Sequence, residues 1–187
     1  MFTLIKEELH DRVLTMTQKL TPNQTAPTLT VPTVNGKTWT LADQTPPNYT
    51  MIVFYRGLHC PICQTYLADL EDKLDQFKDL GVETIAISGD DLEKAETAKR
   101  EWGLDKLTVG YGQTVESMRD WGLYLSHAAF DYEPEIFAEP GLFLVKPDQT
   151  LYYVALNNAP FARPRFEDLL GGLQFILSKN YPTRGTA

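Results

Sequence analysis

Both cysteines of the chain fall within one short stretch, His59-Cys60-Pro61-Ile62-Cys63, and that stretch marks a change of hydrophobic period. Upstream, residues 51–55 (Met-Ile-Val-Phe-Tyr) are continuously apolar and β-prone, as a strand covered on both faces must be. Downstream, Tyr66, Leu67, Leu70, Leu74, Phe77 and Leu80 recur at helical steps, and Gly81 suits the C-terminal cap. A strand, a dithiol and a helix in immediate succession put the cysteines at a helix N-terminus, where unpaired amides and the helix dipole favour a thiolate. Pro61 suits the first helical position, because its missing N–H would have no partner there. On this reading Cys60 stands at or near the N-cap with its sulfur exposed. Cys63 lies one turn in and is more shielded. Thiol redox chemistry is the first expectation, with Cys60 attacking and Cys63 resolving, and the opposite order open.

The remaining pattern alternates strands and helices. Residues 82–88 read as a strand, Asp90 with Glu93 as the capping-box start of a helix reaching Trp102, residues 107–109 as a short strand and 115–123 as a short helix. Residues 126–139 have no clear period, and Pro134 discourages a helix there. Strands at 142–145 and 151–156 flank the turn Lys146-Pro147-Asp148-Gln149, and a helix built on Phe166, Leu169, Leu170, Leu173, Ile176 and Leu177 closes the chain. Nearer the start, Asn35-Gly36 separates β-like pieces at 29–34 and 37–41, a hairpin signal. Phe2, Ile5, Leu9, Val13, Met16 and Leu20 mark an amphipathic helix stopped by Pro22. The expected organisation is a helical extension over residues 1–22 and one domain over 23–187. That domain has α/β architecture: a central sheet with a parallel part, helices on both faces and an antiparallel hairpin near the end. The amphipathic extension lies on the domain or on a second copy, so a homodimer is open.

Charge narrows the partners. At 187 residues and a formal net charge of −8, non-specific binding to nucleic acid or anionic membrane is disfavoured. No run approaches the roughly 20 apolar residues that span a bilayer. Lys6, Glu7 and Glu8 interrupt the apolar start, so a secretory leader is not expected and the cytoplasm is. In that compartment a close cysteine pair is catalytic or metal-binding rather than structural. Zinc fits poorly: Cys60, Cys63 and His59 offer three ligands in a tight span, and only His10 and His127 remain. No metal and no nucleotide cofactor is therefore expected, for no glycine-rich phosphate loop is present.

Other residues flank the dithiol. Arg56 lies just upstream, where a guanidinium favours a thiolate or a developing oxyanion, unless it pairs with one of the many carboxylates. His59 reads as a proton relay or as an exposed neighbour. Arg163 and Arg165, before the last helix, read as local caps or ion pairs rather than as an anion site.

The order of these elements resembles the thioredoxin-fold superfamily, and within it the peroxiredoxin-like branch, the alkyl hydroperoxide reductase/thiol-specific antioxidant group. The likeness rests on the strand at 51–55 leading into Arg56-Gly57-Leu58-His59-Cys60-Pro61-Ile62-Cys63, the helix to Leu80, the strand at 81–88 and Pro140-Gly141-Leu142-Phe143-Leu144-Val145. It implies a thioredoxin-like three-layer sandwich. In that frame Cys63 holds the family's peroxidatic position, and Cys60 stands where a threonine or serine is usual. The resemblance also implies that Pro140 matches the cis-proline shaping the thioredoxin substrate groove, beside Pro61 and His59. Glu139-Pro140 stand where the family's peroxide-site arginine is commonly found.

The expected activity is a thiol-dependent oxidoreductase. Its first expected substrate is peroxide, with thioredoxin-like exchange on a protein disulfide as an alternative, and it is restored by a dithiol reductant such as thioredoxin or by glutathione. A non-catalytic redox sensor or binding module is the alternative.

Overall fold

The computed structural model describes residues 20–187. The amphipathic helix expected over residues 1–20, and with it most of the extension assigned to 1–22, lies outside the described residues.

Among the described residues, nine strands and four α-helices follow one another in chain order. A first hairpin pairs β1 (Thr30–Pro32) with β2 (Thr38–Thr40) across Asn35-Gly36, and a 3-10 turn (Leu41–Asp43) follows. Then come β3 (Tyr49–Phe54), α1 (Pro61–Asp79), β4 (Val82–Ile87), α2 (Leu92–Glu101), β5 (Thr108–Gly110) and α3 (Val115–Asp120). The remainder is β6 (Leu125–His127), β7 (Ile136–Ala138), β8 (Gly141–Val145), β9 (Leu151–Leu156) and α4 (Phe166–Lys179).

The central sheet runs β5-β4-β3-β8-β9. β3 pairs parallel with β4 and antiparallel with β8, so Ile52 sits between Ile85 and Phe143. The continuous apolar run of β3 is thereby explained: it is the middle strand and is buried along its whole length. Its alternate residues divide between two cores. Met51, Val53 and Tyr55 join Leu67, Leu70 and Phe77 of α1, Ala95 and Ala98 of α2, and Phe166, Leu170 and Leu173 of α4. Ile52 and Phe54 join Met118 and Trp121 (α3 and its cap) and Leu29 and Val31 from the first hairpin. Phe54, Trp121 and Phe143 make a tilted and edge-to-face triad, with Trp121 and Phe143 centroids 4.9 Å apart. The three-layer sandwich expected from the sequence is the observed one.

Two local features differ from expectation. The helix after β4 is capped by Asp91, whose Oδ1 accepts the Lys94 N–H at 2.9 Å, and Asp90 turns inward instead. The stretch without clear period carries a small separate hairpin, β6 against β7, whose three-residue strands are too short to show a period.

Candidate active site

The redox turn is built at the C-terminal end of β3. Gly57 has φ +128°, a conformation that glycine adopts without strain. The Cys60 N–H donates to the Gly57 carbonyl at 3.1 Å, and Cys60 then caps α1 from an extended conformation with Pro61 directly after it. Cys60 Sγ accepts the Cys63 N–H at 3.2 Å. The two sulfurs are joined as a disulfide, with Cα atoms 5.2 Å apart. The cap position expected for Cys60 is observed, but its exposure is not. Cys60 is 1% and Cys63 0% exposed, because the turn folds both sulfurs beneath β3 and α1 into the larger core. Pro61 and Ile62, by contrast, face solvent.

Arg56 is committed to carboxylates. Its Nη2 donates to Glu133 Oε1 at 3.0 Å, its Nε lies 3.5 Å from Glu139 Oε2, and its guanidinium lies 4.6 Å over the Phe137 ring. Glu139 also accepts from Ser126 Oγ at 2.7 Å, and Glu133 from the Ala129 N–H at 2.8 Å. The β6–β7 loop is therefore strapped onto the residue that begins the redox turn. His59 packs edge-on against Phe137 at 4.8 Å, and its Nε2 is buried with no hydrogen-bond partner among the described residues. Burial first, then the Arg56 cation, lower its pKa to about 4, and Glu133 opposes them in part. His59 is thus a neutral imidazole at pH 7.

Pro140 immediately precedes β8. Its peptide bond is trans, as are all those among the described residues, so the cis turn that the resemblance implied is not observed. The trans form is the ordinary preference of X–Pro bonds. Here the Glu139 N–H bonded to Tyr124 O and the Asn157 N–H bonded to Pro140 O hold an extended entry into the sheet. The pairing of Phe54 with Gly141 brings Pro140 alongside the chain that leads to Arg56.

Arg163 meets its expectation in part. Arg165 pairs locally with Glu167, and Arg163 bonds locally to a carbonyl but makes no ion pair among the described residues. Its guanidinium stacks 4.4 Å over Tyr66, its Nε donates to Pro160 O at 3.0 Å, and Nη1 and Nη2 are buried with no hydrogen-bond partner among the described residues. With Tyr66, Pro140 and Gly141 it lines a tight crevice at the head of β8. Sequence reasoning also passed over Asp90, Glu133, Glu139 and Phe137. The acidic pair Asp90-Asp91 was legible only as a cap, and the other three lie in the stretch without clear period.

A dithiol capping a helix at the end of a central strand, under a sheet of this order, defines a thiol oxidoreductase of the thioredoxin fold. The AhpC/TSA family model matches residues 22–154, and the chain belongs to that family. A Mycobacterium tuberculosis protein named as a peroxiredoxin is 33% identical over 111 residues, 59% of this chain and 69% of that protein. The thioredoxin-dependent peroxide reductase of Rattus norvegicus mitochondria is 27% identical over 152 residues, covering 76% of this chain and 56% of its own length. Among solved structures, the peroxidoxin BcpB of M. tuberculosis superposes with TM-score 0.67 at 15% identity, covering 84% of this chain and 98% of its own. The mitochondrial 2-Cys peroxiredoxin of Plasmodium falciparum gives TM-score 0.69 at 17% identity, covering 87% and 98%. The chain is a peroxiredoxin-like thiol oxidoreductase. No helix among the described residues is long and apolar enough to cross a membrane.

Proposed function

We propose that the chain reduces hydroperoxides through Cys60 and Cys63, Cys60 being the attacking sulfur. The observation that carries this reading is the amide bond from Cys63 to Cys60 Sγ at the head of α1, since an N–H aimed at sulfur favours the thiolate. The Cys60 thiolate attacks the O–O bond, becomes sulfenic acid and releases alcohol or water. The Cys63 thiol condenses with it, losing water and forming the disulfide. A dithiol such as thioredoxin, or two molecules of glutathione, then supplies two electrons and two protons to restore both thiols. Pro61 and His59 border the approach to the sulfurs, and Pro140 shapes the neighbouring wall. Arg56 acts as anchor for the β6–β7 loop, its charge being answered by Glu133 and Glu139. One close cysteine pair without a wider disulfide framework suits a reducing compartment such as the cytoplasm.

One observation favours disulfide exchange as a second reading. The arginine that opens the redox turn is spent on two carboxylates, which weakens it as a partner for a peroxide oxyanion and matters less to a neutral disulfide. Stopped-flow peroxide consumption by the reduced protein separates the two. Wild type is expected to consume peroxide, Cys60→Ser to lose all consumption, and Cys63→Ser to complete one turnover that leaves a sulfenic acid trappable by a dione. No consumption by wild type, together with a mixed disulfide trapped by Cys63→Ser, moves the assignment to exchange.

A further inference from the structure

Asp90 is a buried carboxylate for which no ion pair accounts. It follows β4 through Ser88-Gly89 and is 5% exposed, and the salt bridges among the described residues pass it by. Its backbone is fixed from behind: its N–H donates to Ser88 Oγ at 3.3 Å and its carbonyl accepts the Gly112 N–H at 2.8 Å. Its side chain reaches forward into the redox turn. Oδ2 accepts the Leu58 N–H at 2.8 Å. Oδ1 fills the space beneath Gly57, where an added Cβ would stand 2.6 Å from it. The Gly57 carbonyl in turn receives the Cys60 N–H. One carboxylate therefore fixes the two residues that lead to His59 and, through the Gly57 carbonyl, the cysteine that caps α1.

The groups facing Asp90 come from four elements. Tyr55, which follows β3, is fully buried and sets its hydroxyl near Ser88 and Asp90. His59 lies on the turn itself, Asp91 and Lys94 come from the head of α2, and Tyr132 comes from the β6–β7 loop. Leu58, His59, Asp90, Lys94, Tyr132 and Pro134 border a recess of about 150 Å³. Burial raises the Asp90 pKa, the Leu58 amide, Ser88 and Lys94 oppose it, and Asp91 adds to it. A charge kept in such a place costs the fold stability. Retaining it against a redox turn is what a functional group does.

We propose that Asp90 is a positioning residue for the dithiol: through Leu58 and Gly57 it sets how Cys60 is presented, and its protonation is linked to the redox state of the pair. This rests on the reading above, that Cys60 and Cys63 cycle between dithiol and disulfide. When two glutathione molecules reduce the pair, the Cys60–Cys63 bond breaks and the glutathione S–S bond forms. Two electrons pass to the cysteine sulfurs; of the two glutathione protons, one goes to Cys63 and the other is shared between Cys60 and solvent, as Cys60 exchanges between thiol and thiolate. Any further proton taken up by Asp90 comes from solvent. Reduction puts thiolate character on the turn that Asp90 holds, so the carboxylate keeps its proton more tightly in the reduced protein than in the oxidised one. Above both values the ionised Asp90 makes the dithiol the more readily oxidised.

The test equilibrates the full chain and its Asp90→Asn variant in glutathione redox buffers from pH 5 to 8. Free thiols are read by alkylation and melting is followed in parallel. Asparagine keeps an oxygen for the Leu58 amide and removes the charge. At pH values low enough to protonate Asp90 in both redox states, the two proteins are expected to share one equilibrium constant. Toward neutral pH the wild-type constant should move to the oxidised side, by about tenfold for each unit between the two Asp90 pKa values. Asp90→Asn should also melt higher than wild type at pH 7. Superimposed constants at every pH would overturn the proposal while leaving a redox-active pair. A fall in melting temperature and exchange as large as that of Asp90→Ala would overturn it too, because the side chain would then be structural only. A wild-type disulfide inert to glutathione at all pH values removes the dithiol reading and this proposal together.

Discussion

Gly57 is the residue on which the redox turn closes. Its φ of +128° lies where other residues are strained, and the carboxylate of Asp90 would stand only 2.6 Å from an added Cβ. Gly57→Ala must therefore both adopt an unfavourable backbone and displace a buried, hydrogen-bonded acid. The expected cost is on the order of 2 kcal/mol or more, measured by urea unfolding of the oxidised protein. Gly36→Ala offers the control, because Gly36 has φ +77° with nothing within 4 Å of its would-be Cβ. It should carry the backbone penalty alone, about 1 kcal/mol. Equal losses at the two positions would show that Asp90 does not press on the turn. At this scale the sequence was legible where covalent logic applied. Cys60, Pro61 and Cys63 declare a capped helix start by their order alone. Asp90 did not declare itself, since an acid before a helix has the same signature whether it caps or turns inward. Only the third dimension distinguishes it from Asp91.

Among the elements, the β6–β7 loop is the one whose position depends on charge. Its tip carries Phe130 and Tyr132, stacked at 5.4 Å and largely exposed, so apolar burial does little to hold it. What holds it is Glu133 on Arg56, with the Ala129 amide closing the loop on itself. Glu133→Gln keeps an oxygen for the Ala129 amide and weakens the ion pair. The pair lies at the protein surface, where water screens it, so a modest loosening of the loop is expected. Amide exchange over residues 129–135 should quicken about threefold, and alkylation of the reduced cysteines should quicken with it. Unchanged exchange would show that His59 and Phe137 alone carry the strap. The long elements were legible because their signal is strong. The apolar run at β3, the helical steps of α1 and α4, and the pair β8–β9 about Pro147 each repeat a period several times. β6 and β7 repeat nothing, being three residues each and paired in a small sheet separate from the central one.

Over the whole molecule, the site's charges make stability depend on pH in opposing ways. His59 has a folded pKa of about 4 against an ordinary 6.5, so the native state binds that proton less tightly than the unfolded chain does. Its contribution is present above pH 6.5 and is lost as pH falls toward 4. His59 is partly open to solvent, which trims the effect to about 1–2 kcal/mol. Asp90, raised by burial, has the reverse sign: its proton stabilises the fold below the ordinary carboxylate range, and that stability is lost as pH rises through the folded value. Three-layer packing fixes both environments, since the turn bearing His59 and the end of β4 bearing Asp90 are pressed together by the parallel pairing of β3 with β4. Between pH 7 and pH 4.5, urea midpoints of the wild type should fall further than those of His59→Gln, which has no proton to take up. Asp90→Asn should fall further than the wild type, because it lacks the opposing term. A His59→Gln profile parallel to wild type would mean that the imidazole is as free to protonate in the fold as outside it, and that Phe137 and Arg56 do not enclose it as described.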